Sequence, residues 1–307
     1  MESVVRSLCC IVFRMLRRDI SRFDNVSSYR NLGDFFASSP DAEFITIKYG
    51  DSDLDLLHID RGADTTIVCF HAALAHGKVA SYPLFSALNV TAGFKVNVIC
   101  VSDPVLSMGL SLGWFAGTRS QPLQRDLPNA IRHLLNRYET KQRLIFFGAS
   151  GGGFASLFYS HGFPDSIALA MNPQTDIAEY NPKAVAEYVE TAWGKPSLDD
   201  VPIVTDLGEL YRDGFPNTVY FMQNVFDGHH RDRHIAYWMR KIPAESNRLN
   251  LLMDDWGQGH VPPPITLIES TLGAIIANDV QKLASLGFIN APAIDEPARQ
   301  FISRRAN

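Results

Sequence analysis

The chain has 307 residues, 46% of them hydrophobic and 20% charged, with 33 Asp and Glu against 28 Lys and Arg for a net charge of −5. These are globular proportions, so a disordered or collagen-like chain is excluded, and there is no overall basic surplus to drive nucleic-acid binding. Four cysteines in this length make no disulfide scaffold. Cys9 and Cys10 are adjacent, a poor geometry for pairing with each other, while Cys69 and Cys100 sit in the apolar runs TIVCF and VNVIC. The latter two read as free core thiols, which points to a reducing, cytoplasmic compartment.

Residues 1–22 carry five arginines against Glu2 and Asp19, so the mild overall charge conceals one basic segment. Its apolar block, Leu8 to Phe13, is far shorter than the ~20 residues that span a bilayer, and no small-residue cleavage site follows it. Val5, Leu8, Val12, Leu16 and Ile20 recur at helical spacing. The segment therefore reads either as an amphipathic helix docked on the domain or as an interfacial helix in peripheral contact with anionic lipid. It opens an N-terminal arm over 1–42, followed by a main domain over 43–288 and a tail over 289–307.

In chain order, EFITIKY (43–49) and LDLLHID (54–60) predict a hairpin closed by a Gly-Asp-Ser turn. Strands then alternate with helical stretches. Strands are predicted at 65–71, 95–102, 143–148, 166–172, 218–224 and 248–254. Helices are predicted at 122–139, 152–161, 231–241 and 265–286. Continuous apolar strands alternating with helices indicate an α/β fold with a mostly parallel sheet covered on both faces. Ligands in such sheets sit outside the carboxyl ends of the strands, so the residues just after each strand carry the chemistry. The stretch 177–216 interrupts the alternation after the sixth strand and reads as a cap insertion, with short helices near 182–193 and 206–213.

The most informative motif is Gly148-Ala149-Ser150-Gly151-Gly152, a G-x-S-x-G between the strand RLIFF and the helix FASLFYSHG. A sharp strand-to-helix turn lifts a serine hydroxyl clear of the sheet, and small neighbours allow the tight backbone approach. The helix N-terminus behind it aims amide groups at developing negative charge. His260 follows the strand RLNLLMD, on a loop between Gly257-Gln258-Gly259 and Val261-Pro262-Pro263. It is the candidate general base.

With these residues in this order, the chain resembles the α/β-hydrolase family of serine esterases, lipases and acyltransferases over roughly residues 43–288. The resemblance implies a nucleophile, Ser150, a base, His260, and an acid after the penultimate strand, Asp227. Asp176, after the preceding strand, is the alternative acid. It also implies an oxyanion hole formed by the amide of Gly151 and an amide from the loop His71-Ala72-Ala73-Leu74. That loop carries Ala72 where the family usually has glycine, which leaves Ala72 and Ala73 both open as donor. His71 is expected to shape the loop.

Asn172, Gln174 and Thr175 could bind a polar substrate or cap the entry to the insertion. Trp114, Phe115 and Trp193 are candidate pocket walls or core aromatics. His230 and His234 stand four apart, a metal-ligand spacing, but the intervening residues do not make H-E-x-x-H, and a polar helix start is the better reading. Gly148 to Gly153 lacks the Lys-Ser/Thr ending of a phosphate loop. No metal and no cofactor is expected. The expected substrate is a small-molecule or glycan ester. Three functions follow from the same residues: ester hydrolysis through an acyl-enzyme, acyl transfer to a saccharide hydroxyl, and a non-catalytic binding role. The turn GASGGG, the segment NPQTD and the ending GHVPPP add a vaguer likeness to hydrolase-like proteins of bacterial surface-glycan assembly.

Overall fold

In the computed structural model, residues 16–74, 81–243 and 246–293 are described. Strands β1 (Arg17–Arg18), β2 (Val26–Tyr29), β3 (Phe44–Tyr49), β4 (Ser52–Ile59), β5 (Thr65–Phe70) and β6 (Ser81–Tyr82) form the first third. They are followed by β7 (Asn97–Val101), β8 (Arg143–Ala149), β9 (Ile167–Met171), β10 (Thr218–Asn224), β11 (Leu249–Asp254) and β12 (Ile289–Asn290). The helices are α1 (Leu32–Phe36), α2 (Leu88–Ala92), α3 (Leu123–Leu135), α4 (Gly151–His161) and α5 (Pro182–Tyr188), then α6 (Leu207–Leu210), α7 (Ala236–Lys241), α8 (Ile265–Ala277) and α9 (Val280–Ser285).

Ten strands make one sheet in the order β12-β11-β10-β9-β8-β5-β7-β4-β3-β2. From β7 to β11 every neighbour is parallel, whereas β4 runs antiparallel to both β3 and β7. Period-two alternation divides each central strand between two cores. Val68, Phe70 and Phe146 face α3 and α4, while Ile67, Cys69, Ile145 and Phe147 face the side covered by α2, α8 and α9. Cys69 and Cys100 lie in register on β5 and β7, buried and free, as core thiols.

Helix α4 is buried along nearly its whole length, because FASLFYS offers an apolar or small side chain to every direction. It starts at the C-terminal end of β8 and packs along β5, β8 and β9. The insertion between β9 and β10 is α5, a π-helical turn (Val189–Trp193), a short 3-10 turn and α6. It docks on the loop that follows β7: Tyr188 donates to Gly117 O at 2.7 Å and Arg119 N–H donates to Ala192 O at 3.0 Å.

The structure differs from the sequence expectations in four places. The helical spacing of residues 1–22 lies mostly on residues 1–15, which are outside the described part, but over 16–22 the chain is extended and then turns. Arg17–Arg18 pair with Ser81–Tyr82, and Arg18 closes a 2.6 Å ion pair on the buried carboxylate of Asp55. A fork-shaped cation matched to a buried acid outweighs local helical periodicity. Second, β2 and β12 extend the sheet beyond 43–288 at both edges, through parallel pairing with β3 and antiparallel pairing with β11. Third, the helix expected over 265–286 is two helices. Asn278 adopts a left-handed conformation (φ 55°), and Asp279 caps α9 by accepting from Lys282 N–H. Fourth, the helix expected over 231–241 begins as a π-helical turn (His230–Ile235) before α7, which changes the angle at which His230 and His234 project. No described helix is long and apolar enough to cross a membrane.

Candidate active site

Ser150, Asp227 and His260 each follow the carboxyl end of a parallel strand, β8, β10 and β11 respectively. Ser150 joins β8 to α4 with φ 54° and ψ −119°, a sparsely populated conformation for a residue with a side chain. Three backbone hydrogen bonds hold it there. Its N–H donates to Met171 O at 2.9 Å, and its carbonyl accepts from Phe154 N–H at 3.1 Å and Gln174 N–H at 3.2 Å. The glycines explain how the turn fits. A side chain on Gly148 would strike the carbonyl of Gly152, and one on Gly152 would lie 2.5 Å from Phe70 O and 2.6 Å from His71 O. The second contact is the one that brings the loop after β5 against the first turn of α4.

That loop is shaped by His71, as expected. Its Nε2 accepts from Asp103 N–H at 3.1 Å, which leaves Nδ1–H to donate to Ala72 O at 2.9 Å. Burial holds the imidazole pKa down at about 4, so the ring is neutral and this tautomer is enforced from both ends. The Gly151 N–H belongs to the first turn of α4, where intrahelical partners do not exist. Ala72, Ala73 and Gly151 therefore lie on the two segments that Gly152 brings together.

Asp227 is buried and accepts from three groups. His260 Nδ1–H donates to Oδ2 at 2.5 Å, His230 Nδ1–H to Oδ1 at 3.1 Å, and His230 backbone N–H to Oδ1 at 3.2 Å. Burial raises the carboxyl pKa, but the hydrogen bonds from His230 and His260 outweigh it and leave the group well below the usual carboxylate range. His260 keeps its side chain 43% exposed, with Nε2 as the ring nitrogen not engaged by Asp227. The Ser150 hydroxyl is engaged by Gln174, whose Nε2 donates to Oγ at 3.1 Å; among the described residues no hydrogen bond joins Ser150 to His260.

The loop that carries His260 is tied down by two amides. Asn224, the last residue of β10, donates from Nδ2 to Gly257 O at 2.8 Å and Gly259 O at 2.9 Å, while its Oδ1 accepts from Trp256 N–H at 3.2 Å and Phe226 N–H at 3.3 Å. Asn172 donates to Val261 O at 2.8 Å and accepts from Asn224 N–H at 2.7 Å. Asn172, read from sequence either as a substrate contact or as a cap on the entry to the insertion, is a buried brace between strand ends. Gln174 is completely buried, held by its Oε1 accepting from Trp114 Nε1–H, and it touches Ser150 itself. Trp114 is also buried, packed edge-on against Tyr180 and Tyr188, so it supports Gln174 from the insertion side. Phe115 and Trp193 are core residues, and Thr175 donates from Oγ1 to His234 O at 2.9 Å.

Asp176, the alternative acid, does not meet His260. Its Oδ1 accepts from Ala178 N–H at 2.9 Å, and its backbone bridges to Asp206 at the root of the insertion. Burial raises its carboxyl to about 6, the opposite of what a base-orienting carboxylate needs. The His230 and His234 rings do converge, at 5.0 Å, but His230 Nδ1 is on Asp227 and His234 Nδ1 accepts from Thr175 N–H at 3.3 Å. Sequence reasoning missed Asn224, Asp103 and the role of His230. A buried Asn ending the apolar strand TVYFMQN was the available signal for the first.

No protein-family model and no curated protein sequence matches this chain. Solved structures do. The capsule O-acetyltransferase of Neisseria meningitidis serogroup A aligns with a TM-score of 0.55 at 15% identity, over 73% of this chain and 92% of that one. A histidine-to-alanine variant of that enzyme in complex with CoA aligns with a TM-score of 0.53 at 15% identity, over 73% and 91%. MPT51 of Mycobacterium tuberculosis aligns with a TM-score of 0.51 at 13% identity, over 76% and 97%. The fold of this chain is the α/β-hydrolase fold, with helices on both faces of a mostly parallel sheet.

Proposed function

We propose that this protein is a serine-dependent acyl-group enzyme that opens carboxylic esters through an acyl-enzyme. The observation that carries the reading is the 2.5 Å hydrogen bond from His260 Nδ1 to buried Asp227, formed at the same carboxyl edge of the sheet that holds Ser150 in a strained positive-φ turn. In this reading Gln174 fixes Ser150 Oγ from one side, leaving its proton for His260 Nε2. Oγ attacks the ester carbonyl as His260 takes the proton, and Asp227 stabilises the imidazolium. The oxyanion accepts from Gly151 N–H and from an amide of Ala72 or Ala73. Collapse expels the alcohol, which takes the proton from His260, and the acyl group stays on Ser150. Water activated by His260 then releases the acid.

A second reading replaces water with the hydroxyl of an acceptor, a saccharide. Two observations favour it: Ser150 is only 5% exposed, beneath a loop on which the insertion docks, and one structural neighbour is a capsule O-acetyltransferase. The test is labelling with a fluorophosphonate, followed by acyl-donor turnover with and without sugar acceptors. Labelling is expected in the wild type and absent in Ser150→Ala, and His260→Ala should label far more slowly. A folded wild type that does not label overturns both catalytic readings in favour of a binding role. Acylated sugar as product, with turnover rising as acceptor is added, selects transfer over hydrolysis.

A further inference from the structure

Behind the candidate triad lies a second pair of histidines that the proposed mechanism does not use. His230 is 96% buried and His234 fully so, and among the described residues the Nε2 of each has no hydrogen-bond partner. Their other nitrogens are assigned. His230 Nδ1 donates to Asp227, so its Nε2 is an acceptor; His234 Nδ1 accepts from Thr175 N–H, so its Nε2 carries the proton. The two orphan groups are thus a donor and an acceptor, on rings with centroids 5.0 Å apart. The His230 ring also lies flat on His260, with centroids 4.0 Å apart and planes 15° from parallel.

We propose that His230 is a positioning residue for the acyl-group chemistry, orienting the Asp227 carboxylate and backing the His260 ring, with the His234 ring packed behind it. This rests on the catalytic reading of Ser150, Asp227 and His260 given above. Hydrogen bonds run from Thr175 N–H to His234 and from His230 to Asp227, where the second meets the His260 proton on the same carboxylate. The Asp227 carboxylate sets the tautomer of His230, and a backbone amide, which cannot switch, sets that of His234. The groups facing His230 are Asp227 and His229 on its own segment, Tyr180 from the loop after β9, His234 one helical turn on, and His260 from the loop after β11. Burial holds His230 and His234 below the usual imidazole range, so both are neutral near pH 7 and only His260 becomes charged during turnover.

The consequence is a division of labour that substitutions can separate. His230→Phe keeps a flat ring on His260 but removes a donor from Asp227. The carboxylate charge then acts on His260 alone, so the acidic limb of the rate profile moves to higher pH. His230→Asn keeps a donor near the Nδ1 position and loses the ring. We expect fluorophosphonate labelling of His230→Phe to slow about tenfold at its plateau, the scale of one lost hydrogen bond to a charged group. Its acidic limb should move up by about one pH unit, and His230→Asn should restore the limb to its wild-type position. A labelling profile of His230→Phe that superimposes on the wild type, or two variants equally slowed with unmoved limbs, overturns the proposal.

A second measurement needs no variant. Nitrogen-15 NMR of histidine-labelled wild-type protein at pH 7 should show His230 protonated at Nδ1 only and His234 at Nε2 only. An imidazolium or the opposite tautomer at either position overturns the proposal. A wild type that labels at Ser150 but shows the wrong tautomers overturns this inference alone, whereas one that does not label overturns the catalytic reading beneath it.

Discussion

Ser150 and His260 are held by opposite means. The serine is fixed by backbone: a positive φ, three main-chain hydrogen bonds, and glycines that let carbonyls approach where no Cβ could stand. The histidine is fixed by side chains: Asp227 holds its ring, while the amides of Asn224 and Asn172 hold the loop beneath it. A backbone-held residue leaves a mark in local sequence, since glycine spacing is close to obligatory. A side-chain-held residue draws its partners from strands far apart in the chain. The first arrangement fails by not folding, and the second by folding with a loose histidine.

That contrast can be broken at four points, taken from the largest effect down. Asp227→Asn should fold, yet labelling at Ser150 should fall by roughly 10³–10⁴-fold, because an amide in place of the carboxylate leaves the His260 proton on the wrong nitrogen. Comparable labelling of the two proteins would detach Asp227 from the base. Gly152→Ala should cost about 3 kcal/mol or more, since its Cβ meets two backbone carbonyls rather than a flexible side chain. Urea unfolding measures it, and an unchanged midpoint would show that the loop after β5 can retreat. Asn224→Ala should cost about 1–3 kcal/mol, with labelling reduced about tenfold while the fold persists. If labelling stays at the wild-type rate, the His260 loop does not depend on that brace.

The smallest effect concerns acid. His71 is held down to about 4 by burial, so between that value and its unfolded pKa of about 6.5 the unfolded chain binds a proton that the folded chain does not. Stability therefore rises with pH across this window and is lost as pH falls. His58, likewise held at about 4 by burial, adds to the same slope. Asp103 and Asp176, raised to about 6 by burial, act in the opposite sense below that pH. From pH 7 to 5.5 the histidine contribution dominates, and His71 alone should account for about 1 kcal/mol. Thermal melts of the wild type and His71→Asn over this range should converge as pH falls; parallel curves would show that the ring is not the titrating group.

Much of this is legible in the sequence. The GASGG turn lay between a recognisable strand and helix, and Asp227 and His260 stood after later strands in the expected chain order. The β-branched and apolar runs located the central strands, and all of these became members of the sheet. What stayed hidden depended on partners distant in sequence. The extended conformation of Arg17–Arg18 answers to Asp55, and the break at Asn278 to a left-handed residue and the Asp279 cap. The metal-like spacing of His230 and His234 was visible, but that their Nδ1 atoms turn to Asp227 and to Thr175 N–H was not.

By itself the sequence determined the α/β-hydrolase fold and the position of the strained serine, because hydrophobic periodicity and glycine requirements act over a few residues. Only the tertiary structure decided what surrounds that serine: Gln174 on its hydroxyl, Asn172 as a brace, Asp176 turned away, and two neutral histidines beside Asp227. Those assignments arise from which polar groups burial forces to find one another. A buried polar group must take whichever partner the packing brings within reach, and no local pattern encodes that choice.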